Sequence, residues 1–238
     1  MGVADRRVVV IDCFPESVEF HQEEDAIIAV DVIRATTVVV TAVDQGRKCF
    51  PVPTLEAAVD LAGKLSNPLL VGELGGNMPF GFHLNNSPAE IDMRTDFERP
   101  MVILSTSGSR LISAGNKSQS MYVACLRNWR STARRLSNRH RKIAVIGAGA
   151  RGEFREEDEL CCAWIAEELL NLGFETQDTK TADIINKWSG APLVEITHGA
   201  SADYLRRTKQ LKDLDFILIH VNDLDHVYRF EHGQVVQE

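Results

Sequence analysis

Short runs of apolar, often β-branched residues recur along the chain. They predict strands at residues 7–12, 26–32, 49–52, 68–71, 101–104, 142–146, 216–221 and 227–230, with a further extended run at 192–197. The intervening stretches predict helices at residues 38–43, 54–65, 123–137, 160–172, 181–188 and 200–210. Because strands and helices alternate, we expect a layered α/β/α fold with a largely parallel or mixed sheet. The length suits one domain over residues 1–238, or two closely packed halves.

A glycine-rich stretch at residues 72–90, GELGGNMPFGFHLNNSPAE, interrupts this alternation. Ser87 is placed to cap a helix, with Pro88 at its first position and Glu90 completing a capping box. A helix N-terminus presents free N–H groups and suits a phosphate. A loop of this length is usually functional or disordered, and its two phenylalanines and few charges favour an ordered, functional loop. The simpler interpretation is an irregular loop that ends in a good cap.

The charge balance and the cysteines narrow the class of protein. The formal net charge is −8 at pH 7, which argues against nucleic acid as a partner. No apolar run approaches the roughly 20 residues of a membrane span, and the N-terminus lacks the apolar region of a signal peptide, so we expect a cytoplasmic protein. The five cysteines form no CxxC pair and are expected to be reduced, mostly buried thiols. The sequence leaves open whether the chain forms a homo-oligomer.

Carboxylates lie where predicted strands end or the next helix begins. Asp31 and Glu73 each follow an apolar run, and Glu157 and Asp158 open a helix after another. In open α/β sheets, ligands bind outside the carboxyl ends of the strands. Oxygen ligands without a cysteine or histidine cluster favour Mg²⁺ over zinc. The acidic run 153–159 has a second interpretation, because acids in the first helical turn also suit the helix dipole.

Groups suited to binding an anion accompany these carboxylates. The hydroxyl-rich turn 105–109 follows a predicted strand and is a candidate anion cradle, although a plain serine-rich helix cap would have the same sequence. Magnesium, arginine and N–H donors together suit a phosphate ester, since that chemistry needs mainly positioning and charge stabilisation. The candidate substrate is therefore a small phosphorylated acid. The candidate anion-binding residues are Arg34, Thr36, Thr37, Ser87, Thr106, Ser107, Gly108, Ser109 and Arg151.

Two further patterns each allow two interpretations. Residues 147–152, GAGARG, have the spacing of a dinucleotide fingerprint, and a nicotinamide oxidoreductase is a hypothesis that depends on this motif alone. The acidic run after it opposes a pyrophosphate, and the fingerprint needs a helix that begins inside the motif. The arginines of predicted helix 123–137 indicate a patch for polyanions or, as on most surface helices, a solvated face.

Five sequence blocks follow one another in a fixed order. They are DVIRATT at 31–37, GE at 72–73, GF at 81–82 with NSPxE at 86–90, the turn SGS at 107–109, and GxxGxFxxEDxxC at 149–161. Together they resemble the 2-phosphosulfolactate phosphatase family. The resemblance implies an α/β fold of its own type and a magnesium-dependent hydrolase. Its substrate would be the phosphate ester of a small sulfonated 2-hydroxy acid, on a route towards coenzyme M.

With this resemblance the candidate residues take roles. Asn86 joins the substrate-binding group, and catalysis is assigned to Asp31, Arg34 and Glu73. The expected Mg²⁺ ligands are Asp31, Glu73, Glu157 and Asp158.

The departures from the family pattern leave the substrate open. The family usually has glycine at the position of Asn85, often an acid at His83, and commonly asparagine at Ser107. A phosphatase of a related phosphorylated 2-hydroxy acid is therefore an alternative. A catalytically silent phosphate- or carboxylate-binding protein on the same scaffold is another.

Overall fold

The structure is a computed structural model that describes residues 6–115 and 120–238. Its strands are β1 (Val8–Cys13), β2 (Ala26–Val30), β3 (Cys49–Val52), β4 (Leu69–Gly72), β5 (Met101–Leu104), β6 (Met121–Ala124), β7 (Lys142–Gly147), β8 (Glu175–Thr176), β9 (Tyr228–Glu231) and β10 (Gln234–Gln237). Its α-helices are α1 (Ala35–Asp44), α2 (Leu55–Ala62), α3 (Pro88–Asp92), α4 (Gly108–Ala114), α5 (Trp129–Ser137), α6 (Glu156–Asn171), α7 (Thr179–Trp188), α8 (Ala200–Arg207) and α9 (Leu211–Ile219).

These ten strands form one sheet, in the order β4-β5-β3-β10-β9-β6-β2-β7-β1-β8. Neighbours pair in parallel within two groups, β4-β5-β3 and β6-β2-β7-β1-β8. The hairpin β9–β10 lies between the groups and pairs antiparallel with β6 on one side and β3 on the other. The expected mixed sheet is therefore confirmed, and one continuous sheet joins the two parallel groups.

Helices cover both faces of the sheet because side chains alternate along each strand. Val9 and Ile11 of β1 face a core that includes the apolar sides of α5, α6 and α7. Val10 faces the opposite core, which contains the valines of α1 together with residues of α3 and α4. The α/β/α layering is confirmed. The β-branched helix α1 is stable in this place because nine of its ten residues are buried.

Three predicted elements are corrected by the structure. Residues 216–221 were expected as a strand but belong mainly to α9, which begins at Leu211, five residues before the apolar run. Short apolar runs do not separate a strand from a buried helix. The extended run 192–197 is a 3-10 helix, Leu193–His198. Residues 123–137 divide into the end of β6 and helix α5, and the Asn128 side chain holds the turn between them by accepting the Cys125 N–H (2.9 Å).

The glycine-rich stretch 72–90 is a long loop that ends in a helix cap, as predicted. Ser87 Oγ accepts the N–H of Glu90 at 3.2 Å. The capping box is incomplete, because the Glu90 carboxylate pairs with Lys212 instead of the Ser87 backbone. Gly72 is obligatory: its φ is +145°, and a Cβ there would lie 1.8 Å from the carbonyl oxygen of Leu104.

The structure bears on the predictions for the cysteines, for membrane spans and for the arginines of the α5 region. All five cysteines are buried and free, as expected. Within the described ranges, every helix is too short or too polar to cross a membrane. Two arginines of the α5 region form ion pairs within the chain: the buried Arg127 pairs with Asp223 (2.7 Å), and the exposed Arg134 pairs with Glu168 (2.7 Å).

Candidate active site

The candidate site is a cavity of about 430 Å³ formed by loops that follow strands of both parallel groups. Asp31 follows β2, Glu73 follows β4, Thr106 follows β5 and Gly149 follows β7, and all four line the cavity. All four strand ends are carboxyl ends, which is where ligands bind in open α/β sheets. The fold thus brings together the four carboxylates predicted from the sequence, Asp31, Glu73, Glu157 and Asp158.

Asp31 lies in a turn that its neighbours hold closed. The hydroxyl of Thr36 accepts the Asp31 N–H (2.9 Å) and donates to the Asp31 carbonyl oxygen (2.8 Å), while Asp31 Oδ1 accepts the Ala35 N–H (3.1 Å). A Cβ on Gly108 would lie 2.2 Å from Asp31 Oδ2, so only glycine lets α4 approach this closely. Burial, with the negative charge of Glu73, raises the pKa of Asp31 to about 6.

Asp158 connects three segments of the site. Its Oδ1 accepts the N–H of Val32 (2.7 Å) and its Oδ2 accepts the N–H of Gly149 (3.2 Å), which joins α6 to the turns after β2 and β7. Burial, together with the charges of Asp31 and Glu157, raises the pKa of Asp158 well above its usual range. Both oxygens already accept backbone donors, so this carboxylate positions the turns around the site.

Glu157 carries a buried carboxylate oxygen that lacks a hydrogen-bond partner. Its side chain is 1 % exposed, and its Oε2 is buried with no hydrogen-bond partner. Burial raises the pKa of Glu157 to about 7, and the charges of Asp31 and Glu156 add to that shift. A buried, unsatisfied carboxylate oxygen is costly unless a ligand satisfies it. Glu157 and Asp158 therefore face the site, which is more than an interaction with the helix dipole requires of the acidic run.

Glu73 fixes the glycine-rich loop to the turn after β5. Its Oε1 accepts the Thr106 N–H (2.7 Å), and its Oε2 accepts the Gly76 N–H (2.7 Å) and the Thr106 hydroxyl (3.0 Å). The same Thr106 hydroxyl accepts the N–H of Gly75 at 2.8 Å. Because both carboxylate oxygens have donors within the protein, Glu73 holds the cavity wall in shape.

Arg34 belongs to a buried network at the back of the cavity. Its Nη1 donates to the carboxylate of Asp213 and to the side-chain oxygen of Gln210. The hydroxyl of Ser87 donates to the other oxygen of Asp213, so α9 joins the loop cap to the Arg34 turn. Arg34 is 4 % exposed and still lines the cavity. The peptide bond before it, Ile33–Arg34, is cis.

The predicted anion-binding residues divide into two groups. Arg34, Asn86, Thr106, Ser107 and Arg151 line the cavity, and the Oδ1 of Asn86 is buried without a hydrogen-bond partner.

The other predicted anion-binding residues support the wall from behind, which corrects the expectation of direct contact. The hydroxyl of Thr36 is engaged with Asp31, that of Thr37 donates to Val32 O (2.8 Å), and that of Ser109 donates to Val52 O (2.8 Å). Short hydroxyl side chains readily bond to nearby backbone, so they leave no donor for a substrate. Residues in this group are Thr36, Thr37, Ser87 and Ser109, and Gly108 is placed behind the wall by its close packing against Asp31 and Ala35.

Two of the three glycines of residues 147–152, Gly147 and Gly149, allow close packing. A Cβ on Gly147 would lie 2.3 Å from the Phe154 ring, and one on Gly149 would lie 2.7 Å from the Phe14 ring. Helix α6 begins at Glu156, beyond the motif, whereas a dinucleotide fingerprint opens its helix within it. The nicotinamide hypothesis therefore has no support in the geometry of this loop.

Part of the cavity wall was not predicted. Helix α8 contributes Ser201, Tyr204 and Arg207, and Arg155 lies at the start of α6. The only signal for α8 was its prediction as a helix within residues 200–210. No local pattern indicates that this helix lies over the cavity, because that depends on packing between distant segments. The Tyr204 hydroxyl donates to Gly76 O (2.5 Å) and ties α8 to the glycine-rich loop.

Comparison with known families places the chain. The sequence model of the 2-phosphosulpholactate phosphatase family matches residues 12–233. The chain belongs to this family. The match spans all the residues that shape the cavity, from the Asp31 turn through α6 to α8 and α9.

Individual relatives agree with the family match. A Clostridium beijerinckii protein is 27% identical over 98% of this chain and 100% of its own length. A Clostridium perfringens protein is 28% identical over 87% of both chains, and one from Pseudothermotoga lettingae is 36% identical over 62% of this chain and 63% of its own. Each of the three is named "Probable 2-phosphosulfolactate phosphatase".

Proposed function

We propose that this protein is a magnesium-dependent phosphatase that hydrolyses 2-phosphosulfolactate to sulfolactate and phosphate, a reaction on a route towards coenzyme M. The observation that carries the proposal is the composition of one cavity, in which buried carboxylates and arginines lie on a shared wall. Carboxylates without a cation would repel a phosphate, and a site that bound phosphate with arginines alone would have no use for buried carboxylates. The family and the names of the relatives support the choice of substrate.

A divalent cation fits the donor set. Glu157 Oε2 is buried without a partner, and the charge of Asp31 adds to the raised pKa of Glu157, so a cation held by both would relieve the unmet oxygen and the repulsion. Within the described residues, no three histidine, cysteine, aspartate or glutamate side chains already gather closely enough to hold a metal ion. That agrees with Mg²⁺, which usually takes one or two carboxylates and completes its shell with water and substrate phosphate.

We assign the cation to Asp31 and Glu157. Asp158 and Glu73 were expected as further ligands; each of their oxygens already accepts a donor from the protein, which leaves Asp31 Oδ2 and Glu157 Oε2 as the more available oxygens. These two carboxylates would position the turns that carry the ligands. When bound, Mg²⁺ supplies positive charge to the phosphate oxygens.

The remaining side chains bind and orient the ester. Asp213 and Gln210 hold one nitrogen of Arg34, which orients the rest of its guanidinium for paired donation to a phosphate oxygen. Thr106 and Ser107 also line the cavity. Phosphoryl transfer depends mainly on such positioning and charge stabilisation. The cysteines contribute no nucleophile here, since none of the five lines the cavity and burial raises the pKa of every one of their thiols.

A panel of phosphorylated acids tests the proposal. We expect Mg²⁺-dependent phosphate release to be fastest with 2-phosphosulfolactate, slower with 2-phospholactate, and slowest with a monoester that carries no second acidic group, such as p-nitrophenyl phosphate. Stabilisation by these compounds without any phosphate release would instead support the silent anion-binding protein. Equal rates with all three would reject the proposed substrate class.

A further inference from the structure

Helix α8 presents one face to the cavity. Ala200, Ser201, Tyr204 and Arg207 all line it, and their spacing places them on one side of a helix. On the other side, Ala202 and Leu205 are fully buried against α9. The hydrogen bond from Tyr204 to the glycine-rich loop holds the helix from the front. Arg207 is therefore presented at a fixed place, at the last position of α8.

The cavity arginines differ in how their charge is balanced. Arg34 pairs with Asp213, and Arg155 pairs with Glu153 at 2.8 Å. Across residues 6–115 and 120–238, neither Arg151 nor Arg207 has a carboxylate within ion-pair distance. The neighbouring Arg206 takes the carboxylate of Asp203 (2.8 Å) and leaves Arg207 only a long contact to the Asp203 carbonyl oxygen (3.4 Å). Two uncompensated guanidinium groups thus face the cavity.

Depth separates these two arginines from the carboxylates. Asp31, Glu157 and Asp158 are buried, whereas Arg151 and Arg207 are exposed at the mouth. A ligand whose phosphate lies at the buried carboxylates would direct its other end towards the mouth. Any anionic group at that end would meet the two free guanidinium groups, which are weakly hydrated and suit oxyanions with several acceptor oxygens.

We infer that Arg207, assisted by Arg151, forms a subsite that binds the sulfonate of the substrate and sets the preference for sulfonated over simple phosphorylated 2-hydroxy acids. This inference rests on the proposed function. It makes Arg207 a specificity residue, which contacts the end of the substrate that does not react. Its contribution is to binding, and the reacting phosphate is left to Arg34 and the buried carboxylates.

The test compares Arg207→Gln with Arg206→Gln, which removes the same charge one residue away from a side chain that does not line the cavity. Kinetics are measured with 2-phosphosulfolactate and with 2-phospholactate, which lacks the sulfonate. We expect Arg207→Gln to raise KM for 2-phosphosulfolactate about 10- to 100-fold, the range of a lost charged hydrogen bond. Its kcat, and KM for 2-phospholactate, should stay within about twofold of wild type.

Arg206→Gln should leave both substrates unchanged. The inference is overturned if the two variants have the same KM for 2-phosphosulfolactate. It is also overturned if Arg207→Gln raises KM for both substrates by the same factor, since that would be a general effect of charge.

Calorimetric titration of the protein with sulfolactate measures binding without turnover and so separates this inference from the proposed function. If the wild type releases no phosphate from either substrate, the phosphatase proposal fails. Sulfolactate binding that is weaker in Arg207→Gln than in Arg206→Gln would still support the subsite. Equal binding in the two variants, or no binding to the wild type, would reject it.

Discussion

Glu157→Gln is expected to lower phosphate release by at least about a hundredfold and, in cation-free protein, to raise the stability of the fold. The rate falls because the variant loses one of two proposed magnesium ligands and the charge that offsets the phosphate. The stability rises because the wild type buries an unsatisfied carboxylate beside Asp31, and glutamine removes that charge. Few substitutions at a structural position would move the two quantities in opposite directions.

The stability gain depends on pH in a defined direction. The pKa of Glu157 is about 7 in the folded protein against 4.5 for an ordinary glutamate, so the folded state binds the extra proton between these values. The contribution of Glu157 to the free energy of unfolding therefore falls as pH rises from about 4.5 to about 7. Above pH 7 the wild type carries the whole cost of burying this charge. Urea unfolding in EDTA at pH 8 should show Glu157→Gln more stable by about 1 to 3 kcal/mol. At pH 4.5 the difference should vanish.

Glu156→Gln is the matched control. Glu156 lies in the same helical turn but not on the cavity wall, so its loss removes a favourable interaction with the helix dipole, about 0.3 to 1 kcal/mol, and a minor part of the repulsion on Glu157. Asp158→Asn is less informative, because Asp158 also holds the backbone of Val32 and Gly149. Wild-type activity in all three variants would place the active site elsewhere.

Arg34→Lys is expected to lower kcat/KM by about a hundredfold or more while the protein stays folded. Lysine keeps the charge and can still pair with Asp213, but one ammonium group cannot also serve Gln210 and a phosphate in the fixed geometry of a guanidinium. Stopped assays of phosphate release, with urea unfolding alongside, measure both effects. Near-normal kinetics would mean that Arg34 serves only to neutralise Asp213.

Arg34→Met separates the structural part of this role. It leaves the fully buried carboxylate of Asp213 without a cation, which typically costs about 3 to 5 kcal/mol. Adding Asp213→Asn should restore most of that stability without restoring activity. Recovery of activity in the double variant would contradict a role for Arg34 in binding the phosphate.

The central layer of the fold and the carboxylates of the site followed from local patterns. Buried strands are short apolar runs, and an acid directly after such a run lies at the edge where ligands bind, which is how Asp31 and Glu73 were found. Glu157 and Asp158 were identified from their place at the start of a helix after β7. These inferences needed only the sequence near each residue.

Contacts between distant segments could not be inferred in the same way. Asp213 lies near the start of α9, 179 residues from its partner Arg34, and the apolar run that ends α9 resembles a strand. The hydroxyls of Thr37 and Ser109 were assigned to substrate because residue type does not show whether a hydroxyl is already used by nearby backbone. Arg207 had no motif around it, and only the packing of α8 places it at the cavity.

The most direct test of a magnesium-dependent phosphatase is phosphate release from 2-phosphosulfolactate after the protein has been stripped of metal with EDTA and titrated with Mg²⁺. Asp31→Asn, which keeps the shape of the side chain and the oxygen that accepts the Ala35 N–H, is measured beside the wild type. We expect background release without metal, recovery with Mg²⁺ in the wild type, and no recovery in Asp31→Asn. Full release by the stripped protein, or wild-type recovery in Asp31→Asn, would contradict that expectation.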